Sequence, residues 1–170
     1  FVEYEYDAKQ CMISMTGRDG LVTTYAYDEN ANLVEEIRTD GTKTLYTYDI
    51  MDRVTETASY EGEECIVKYN YIYDAAGRVI FETISEKGET HRSYTYDGQG
   101  KLTGFVERRP DDTEYAIQYE YNVFGNRTSE IIEETGKETQ ENEYIYDEQN
   151  RVTKKRTNGV DSVTYDYDKD

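Results

Sequence analysis

Aspartates that recur along the chain are the first residues that could do chemistry. Carboxylate oxygens are good ligands for Ca²⁺, so a row of them at one edge of a fold could bind cations. An Asp at the start of a tight turn can instead accept hydrogen bonds from the turn's own backbone, which requires no metal. We expect turn capping, and no metal site, from Asp7, Asp28, Asp49, Asp74, Asp97, Asp147 and Asp168.

Two short stretches imitate the start of a calcium-binding loop. Asp28, Asn30 and Asn32 have the required alternation, but Leu33 stands where the loop needs a glycine. The second stretch, residues 166–170, contains only the first part of such a loop. Because neither motif is complete, we expect no more than weak, nonspecific cation binding.

Few other residues could take part in catalysis. His91 is the only histidine, which excludes a site that needs two, and we expect it to be an ordinary strand residue. No phosphate loop, nucleophile elbow or Cys-His signature is present. Cys65 shares the period-two pattern of Val67 and Tyr69 and is expected to be buried on their face, whereas Cys11 faces the other way. The sequence therefore predicts no disulfide, no cofactor and no enzyme.

The composition narrows the classes of partner. The chain of 170 residues has 37 Asp and Glu against 19 Lys and Arg, a net charge of −18. Such a charge repels phosphate backbones and anionic lipid surfaces. No apolar run is long enough to cross a bilayer. We expect no nucleic-acid binding and no membrane insertion. Like charges favour keeping open sheet edges apart, and edge-to-edge self-association is left open as an alternative.

The spacing of the tyrosines indicates which secondary-structure elements position these residues. Of the 19 Tyr, 16 stand in Tyr-x-Tyr pairs, and the steps between successive second tyrosines are 21, 21, 25, 23, 25, 25 and 21 residues. This regularity is typical of an array of one supersecondary unit. Asp follows every pair except the sixth, which precedes Asn122. The pairs are Tyr4 and Tyr6, Tyr25 and Tyr27, Tyr46 and Tyr48, Tyr71 and Tyr73, Tyr94 and Tyr96, Tyr119 and Tyr121, Tyr144 and Tyr146, and Tyr165 and Tyr167.

Each repeat reads as a β-hairpin. Side chains alternate along a strand, so both Tyr rings lie on one face as core, and the Asp then opens a turn whose fourth residue takes positive φ. Gly77, Gly100 and Gly125 suit that place; Gln10 and Ala31 do not, so less regular turns are expected in the first two repeats. The returning strand carries a core position, here called the slot: Met12, Leu33, Val54, Val79, Leu102 and Val152, with Arg127 as the one departure.

A second short turn, often with a pair such as Asp40-Gly41, joins each repeat to the next. Every strand is then antiparallel to its neighbour. We predict an all-β fold without helices, a continuous antiparallel meander of about fifteen strands that curves or spirals because strand twist accumulates. Residues 1–170 form a single array, with repeats beginning near Tyr4, Tyr25, Tyr46, Tyr71, Tyr94, Tyr119 and Tyr144, and a partial eighth at Tyr165.

The pattern Tyr-x-Tyr-Asp-x-x-Gly-Arg-Val from Tyr71 to Val79, with weaker copies along essentially the whole chain, resembles the YD repeat of the Rhs family. That family includes bacterial polymorphic toxins, wall-associated surface proteins, the BC components of insecticidal toxin complexes and animal teneurins. The resemblance implies a sheet that winds into a hollow shell, in toxins around a C-terminal effector, in a secreted or cell-surface bacterial protein. The family's autoproteolytic Asp-Pro signature has no counterpart, because Arg109 precedes Pro110.

We therefore predict a structural segment of a longer array, whose partners are other parts of the same parent chain, namely the rest of the shell and an effector domain. The alternative is a surface module that binds glycans or a partner protein, since aromatic faces stack on sugars. Tyr60, Tyr69 and Tyr115, which lie outside the pairs, are the candidates for ligand contact in that case. An exposed Tyr patch would favour binding, and a covered one would favour a scaffold.

Overall fold

The structure is a computed structural model that describes residues 1–168. Fifteen β-strands, joined by short turns, account for its regular structure. They are β1 (Glu3–Tyr6), β2 (Met12–Thr16), β3 (Val22–Tyr27), β4 (Leu33–Arg38), β5 (Thr42–Tyr48), β6 (Val54–Glu61), β7 (Glu64–Tyr73), β8 (Val79–Ser85), β9 (Glu89–Tyr96), β10 (Leu102–Arg108), β11 (Glu114–Tyr121), β12 (Arg127–Glu134), β13 (Gln140–Tyr146), β14 (Val152–Thr157) and β15 (Val160–Thr164).

The strands follow one another in the sheet in the order of the chain, and successive strands are antiparallel. The predicted all-β meander and the predicted number of strands are thus confirmed. None of the described residues belongs to a helix that could span a membrane. The chain divides into two compact units, Phe1–Glu89 and Thr90–Asp170. Strands β1 to β8 build the first, and β9, apart from its first residue, to β15 build the second.

A β-bulge marks the point where each Tyr strand turns back. Thr47 pairs with Glu56 but Tyr48 pairs with Val54, so Thr55 is an extra residue in the returning strand. The bulge turns the slot residue toward the face that carries the Tyr rings. The second Tyr pairs with the slot residue in the same way in Tyr6 and Met12, Tyr27 and Leu33, Tyr73 and Val79, Tyr96 and Leu102, Tyr121 and Arg127, and Tyr146 and Val152.

The sheet has little fully buried apolar surface. Among the described residues, Ala58 is the one buried hydrophobic side chain, at 2% exposure. Thr23, Glu82 and Asn142 are the buried polar side chains. The Tyr rings and slot residues inside the units are half-buried, and half of a Tyr ring, on the order of 100 Å², contributes about 2 kcal/mol when removed from water. Stability therefore comes from many similar small contacts.

The turns of the first two repeats are as regular as the others, so the expectation of irregular turns was wrong. Gln10 has φ 65° and Ala31 has φ 67°, close to Asn150 at 61°. Their amides donate to the carbonyls of Asp7 and Asp28, each at 3.1 Å. The flanking strand pairs and the turn Asp fix this geometry, and the unfavourable φ costs on the order of 1 kcal/mol at each of the two residues.

The predicted burial of Cys65 was also wrong, because the side chain is exposed. A bulge in β7 breaks the period-two pattern on which that prediction depended. Val67 pairs with Ser59, whereas Cys65 pairs with Tyr60, so Ile66 is the extra residue. The alternation is reset at that point, and Cys65 shares the face of Tyr60, away from the paired tyrosines. Cys65 and Cys11 are both free.

Candidate functional site

The paired tyrosines lie on one face of the odd-numbered strands, at the end that leads into the Asp turn. Inside the two units they are half-buried, while the residue between the two rings of a pair is exposed. The pair on β1 is more open, with Tyr4 at 52% and Tyr6 at 59% exposure. Tyr165 and Tyr167 follow the end of β15 and are 44% and 43% exposed.

The second Tyr of a pair is tied to the neighbouring repeat through its hydroxyl. The Tyr73 hydroxyl donates to the main-chain carbonyl of Val54, the slot residue of the preceding repeat, at 2.6 Å. Five further hydroxyls make this bond at 2.7–2.8 Å: Tyr27 to Met12, Tyr48 to Leu33, Tyr121 to Leu102, Tyr146 to Arg127, and Tyr167 to Val152. Sequence reasoning missed this bond, although the use of Tyr and never Phe at this position was the available signal.

Burial suits these phenols to their role as donors. Burial raises the pKa of Tyr27, Tyr48 and Tyr73, because the neutral phenol is favoured over the phenolate in a less solvated site. The pKa of Tyr146 is raised for the same reason, against the opposing charge of Arg127. The hydroxyls are therefore protonated across the physiological range and can hold the neighbouring carbonyl.

The first Tyr of a pair lies across the strand pair from a variable residue. Opposite Tyr25 and Tyr119 stand Glu36 and Glu130, and opposite Tyr94 stands Phe105, with ring centroids 5.4 Å apart. Burial first, and then the facing carboxylate, raises the pKa of Tyr25 and of Tyr119. The first Tyr of a pair therefore has apolar neighbours in some repeats and acidic neighbours in others, and its contacts are less uniform than the main-chain hydrogen bond of the second Tyr.

Arg127 replaces the aliphatic slot residue with a cation between two rings. Its guanidinium carbon lies 5.3 Å from the ring centroid of Tyr119 and 4.8 Å from that of Tyr144. The same group contacts Glu130 at 3.2 Å, and that carboxylate accepts the Tyr144 hydroxyl at 3.0 Å. Cation–π stacking and an ion pair therefore occupy a place that apolar packing fills in the other repeats.

The turn aspartates bind their own turns. Asp74 Oδ1 accepts the amides of Ala76 and Arg78 at 2.9 and 3.0 Å. The amides two and four residues ahead bind in the same way to Asp7, Asp28, Asp49, Asp97, Asn122 and Asp147. These amides lower the pKa of Asp74, with help from the Arg78 side chain.

The residue directly before the slot, here called the pre-slot residue, links adjacent turns. Arg53 stacks on the Tyr73 ring at 4.7 Å and donates to the Asp74 carbonyl at 3.2 Å. Other pre-slot residues make a cation–π contact with the next repeat or donate a hydrogen bond to it from a side-chain amide. The cation–π contacts are Lys101 over Tyr121 and Arg151 over Tyr167, and the hydrogen bonds run from Asn32 to Asp52 and from Asn126 to Asn150. The sequence marked this position only as polar.

The side chains of the first incomplete calcium motif are used in hydrogen bonds to the next turn. Asn30 and Asn32 both donate to Asp52 Oδ1, at 3.0 and 2.7 Å. Within residues 1–168, no group of three or more His, Cys, Asp or Glu is placed to hold a metal ion. The second motif extends to Asp170, which lies outside the described residues. The side chains at the first motif bridge two turns.

The three candidates for ligand contact lie in different surroundings. The Lys43 ammonium lies 4.7 Å over the Tyr60 ring, and Tyr69 is parallel to Tyr71 with centroids 6.3 Å apart. Tyr115 meets an edge of Phe105 at 6.3 Å. All three rings are half-buried among side chains of their own unit. A role in glycan or protein binding stays a prediction for these residues.

An open groove of about 580 Å³ lies between the fifth turn, which begins at Asp97, and the sixth, which begins at Asn122. Polar side chains dominate its lining, including Gln99, Lys101, Thr103, Glu120 and Thr128. None of its lining residues is a histidine or cysteine. The lining side chains offer hydrogen-bond donors and acceptors to a partner.

Comparison with known proteins agrees with this geometry. Residues 1–121 match the family model described as Teneurin YD-shell, and no curated protein sequence matches the chain. The crystal structure of TcdB2-TccC3-Cdc42 is similar at 18% identity and a TM-score of 0.72, over 89% of this chain and 9% of that chain. The crystal structure of TcdB2-TccC3 without its hypervariable C-terminal region is similar at 17% identity and a TM-score of 0.59, over 89% of this chain and 10% of that chain.

The Photorhabdus luminescens Tc holotoxin pore is similar at 13% identity and a TM-score of 0.57, over 91% of this chain and 12% of that chain. TM-scores above 0.5 establish a shared fold, and at identities of 13–18% the likeness shows the fold alone. The chain spans about a tenth of the length of the structures that it matches.

Proposed function

The chain belongs to the Teneurin YD-shell family, and from that premise we propose that it is a structural wall segment of a secreted or cell-surface YD-repeat protein. In this proposal it forms part of a β-shell that encloses a C-terminal effector domain of the parent chain. Its partners are the other wall segments and the enclosed domain, and its own role is not catalytic.

The observation that carries the proposal is the bond between the second Tyr hydroxyl and the slot carbonyl of the preceding repeat, as in Tyr73 and Val54. A Tyr strip that served a ligand would keep its hydroxyls and ring faces available to that ligand. Here six hydroxyls are committed to the main chain of the preceding repeat. That use of the most abundant aromatic residue supports a wall rather than a binding strip.

The enclosed domain is supported by the similar structures. One of them is described as TcdB2-TccC3 without a hypervariable C-terminal region, so in that protein the shared fold accompanies a separable C-terminal part. The chain carries a net charge of −18, and its paired Tyr rings inside the units are already half-buried against their own unit, which leaves them less apolar area with which to attach a domain tightly. The proposal is therefore that the wall confines its contents by enclosure and not by strong attachment.

The test is limited proteolysis of the parent protein expressed with its flanking sequence, followed by gel filtration and mass spectrometry. We expect a C-terminal fragment that stays protected and co-elutes with intact repeats. Two double variants of the parent protein sharpen the test. One carries Tyr48→Phe and Tyr73→Phe, which remove two inter-repeat hydrogen bonds, and the control carries Tyr46→Phe and Tyr71→Phe. Protection of the C-terminal fragment should weaken in the Tyr48→Phe, Tyr73→Phe variant only. An open, elongated particle that encloses nothing would contradict the proposal.

A further inference from the structure

The pre-slot residue of one repeat meets the fourth residue of the next Asp turn, which is the turn residue with positive φ. A Cβ atom at Gly125 would lie 3.2 Å from Lys101 Cε and 3.5 Å from Lys101 Nζ. A Cβ atom at Gly77 would lie 3.9 Å from Arg53 Nη1. In both places a long basic side chain covers the space that a side chain on the next turn would take.

Where the fourth turn residue carries a polar side chain, the pre-slot residue is an asparagine that binds it. Asn32 Nδ2 donates to Asp52 Oδ1 at 2.7 Å, and Asn126 Nδ2 donates to Asn150 Oδ1 at 3.0 Å. Asp52 and Asn150 have φ of 57° and 61°, a conformation that Asp and Asn adopt more readily than most side chains. A short amide thus stands where the other repeats have a long cation.

The first two repeats show a third combination. Cys11 and Ala31 both have short side chains, and they line one groove of about 220 Å³ between the first two Asp turns. In the sequence, each of the six pairs is matched: a basic residue with glycine, asparagine with Asp or Asn, and a short residue with a short one. The pairs are Cys11 and Ala31, Asn32 and Asp52, Arg53 and Gly77, Arg78 and Gly100, Lys101 and Gly125, and Asn126 and Asn150.

The match has a steric and a polar cause. Lys101 Nζ lies 5.4 Å from the ring centroid of Tyr121, and a side chain at Gly125 would compete for that place, because 3.2 Å between carbon atoms is closer than the optimal contact of about 3.5–4.0 Å. Conversely, an asparagine opposite a glycine would have no side-chain acceptor on the turn and would lose the hydrogen bond that Asn126 makes. A mismatch in either direction therefore weakens the contact between two repeats.

We propose that these two positions form a matching rule that sets which repeats are compatible as neighbours. The Tyr pair, the turn Asp and the slot recur along the chain, so they do not distinguish one neighbour from another. Arrays of similar units are prone to pairing out of order, and a mismatch that displaces a cation or strands an amide disfavours the wrong order. A repeat with Arg or Lys before its slot takes a following turn with glycine, and a repeat with Asn takes one with Asn or Asp.

The test is a double-mutant cycle on the full chain, read by urea unfolding. Lys101 and Gly125 are 24 residues apart, as are Asn126 and Asn150, so one pair can be exchanged for the other at equal spacing. Gly125→Asn should raise the equilibrium constant for unfolding, because Lys101 is displaced from its ring. The control is Gly136→Asn: Gly136 has φ 78°, and no described atom lies within 4 Å of a Cβ there. The increase should be at least about threefold larger at Gly125 than at Gly136.

Rescue separates the matching rule from a general need for glycine. Lys101→Asn alone should also destabilise, since the cation–π contact is lost. The double variant Lys101→Asn, Gly125→Asn copies the pair of Asn126 and Asn150 and should be more stable than Gly125→Asn alone. The proposal is overturned if Gly125→Asn and Gly136→Asn have equal effects, or if the double variant loses as much as the two single variants together.

A reciprocal cycle decides the matter if Gly125→Asn does not fold. Asn150→Gly removes the acceptor of Asn126, and Asn126→Lys places a cation against a turn side chain. The two changes together copy the pair of Lys101 and Gly125, so the double variant should be more stable than Asn126→Lys alone, and additive losses would again overturn the rule. The rule concerns neighbouring repeats and does not need an enclosed domain. Its failure would leave the protease protection that tests the wall role unaffected.

Discussion

The Tyr73 hydroxyl and the Val54 carbonyl are joined by a hydrogen bond of 2.6 Å across a separation of 19 residues. The equivalent separation is 15 residues for Tyr48 and Leu33. The four added residues fall in the hairpin of β6 and β7, strands of 8 and 10 residues, against 6 and 7 for β4 and β5. The bond therefore occurs in repeats of different length.

These hydrogen bonds should be lost at alkaline pH, when the Tyr hydroxyls deprotonate. Burial raises the pKa of Tyr48 and of Tyr73 in the folded chain above the ordinary value near 10. A group with a raised folded pKa contributes stability that is complete below the unfolded pKa and is lost as pH rises through the folded pKa. We expect the urea midpoint to fall steeply above about pH 10, with phenolate absorbance rising in step. Phenolate formation in a chain that stays fully stable would contradict this account.

Acid should weaken the turns instead. The pKa of Asp74 is lowered by the Arg78 amide and side chain, and that of Asp97 by the Lys101 amide. A lowered folded pKa contributes stability that is present above the unfolded pKa, near 4, and is lost as pH falls through the folded value. Asp74→Asn, which copies the natural Asn122, should keep the two amide bonds and show a smaller loss of urea midpoint below pH 4 than the parent. Equal acid sensitivity in both would refute the role of this carboxylate.

Arg127 and Glu130 should behave as a coupled pair. Arg127→Val restores an apolar slot but removes the cation 3.2 Å from a carboxylate whose side chain is 14% exposed. We expect a loss of about 1–2 kcal/mol in the free energy of unfolding. Adding Glu130→Phe makes an apolar pair similar to Leu102 and Phe105 of the fifth repeat and should recover most of that loss. Purely additive effects in this double-mutant cycle would show that the two residues do not interact.

Two turn residues with positive φ in the first unit, Gly77 and Ala31, should respond in opposite directions to substitution. Gly77 has φ 80°, and a Cβ there would meet only Arg53 Nη1, at 3.9 Å. Gly77→Ala should therefore cost about 1 kcal/mol through its backbone conformation alone. Ala31→Gly should stabilise by less than that, because relief of strain is offset by greater freedom of the unfolded chain. Urea unfolding of both variants tests the pair, and a destabilised Ala31→Gly would contradict the assigned strain.

The fold was predictable because two local signals agree in every repeat. The Tyr-x-Tyr spacing requires a strand, and the Asp turn requires its return, so a meander of about fifteen strands follows from neighbours in sequence. The two errors arose where a local rule was overridden. The bulge at Ile66 reset the alternation behind Cys65, and the strand pairs around Ala31 imposed a φ that its side chain disfavours.

Of the candidate site, the sequence indicated which residues recur but not which atoms meet. The bond from Tyr73 to Val54 joins positions whose proximity depends on strand order and register. The stacking of Arg53 on the Tyr73 ring and the placement of Arg127 between two rings depend on the same register. Such contacts are settled by the pairing of strands in space and are not encoded in any one segment.

The measurement that tests the central claim most directly is the free energy of unfolding of Tyr73→Phe beside that of Tyr71→Phe. Both substitutions remove one hydroxyl from strand β7. The Tyr73 hydroxyl holds the Val54 carbonyl, whereas no hydrogen bond from the Tyr71 hydroxyl occurs in the described chain. We predict a loss of about 1 kcal/mol for Tyr73→Phe and almost none for Tyr71→Phe. Equal losses, or none for Tyr73→Phe, would contradict the claim that the second tyrosine ties one repeat to the next.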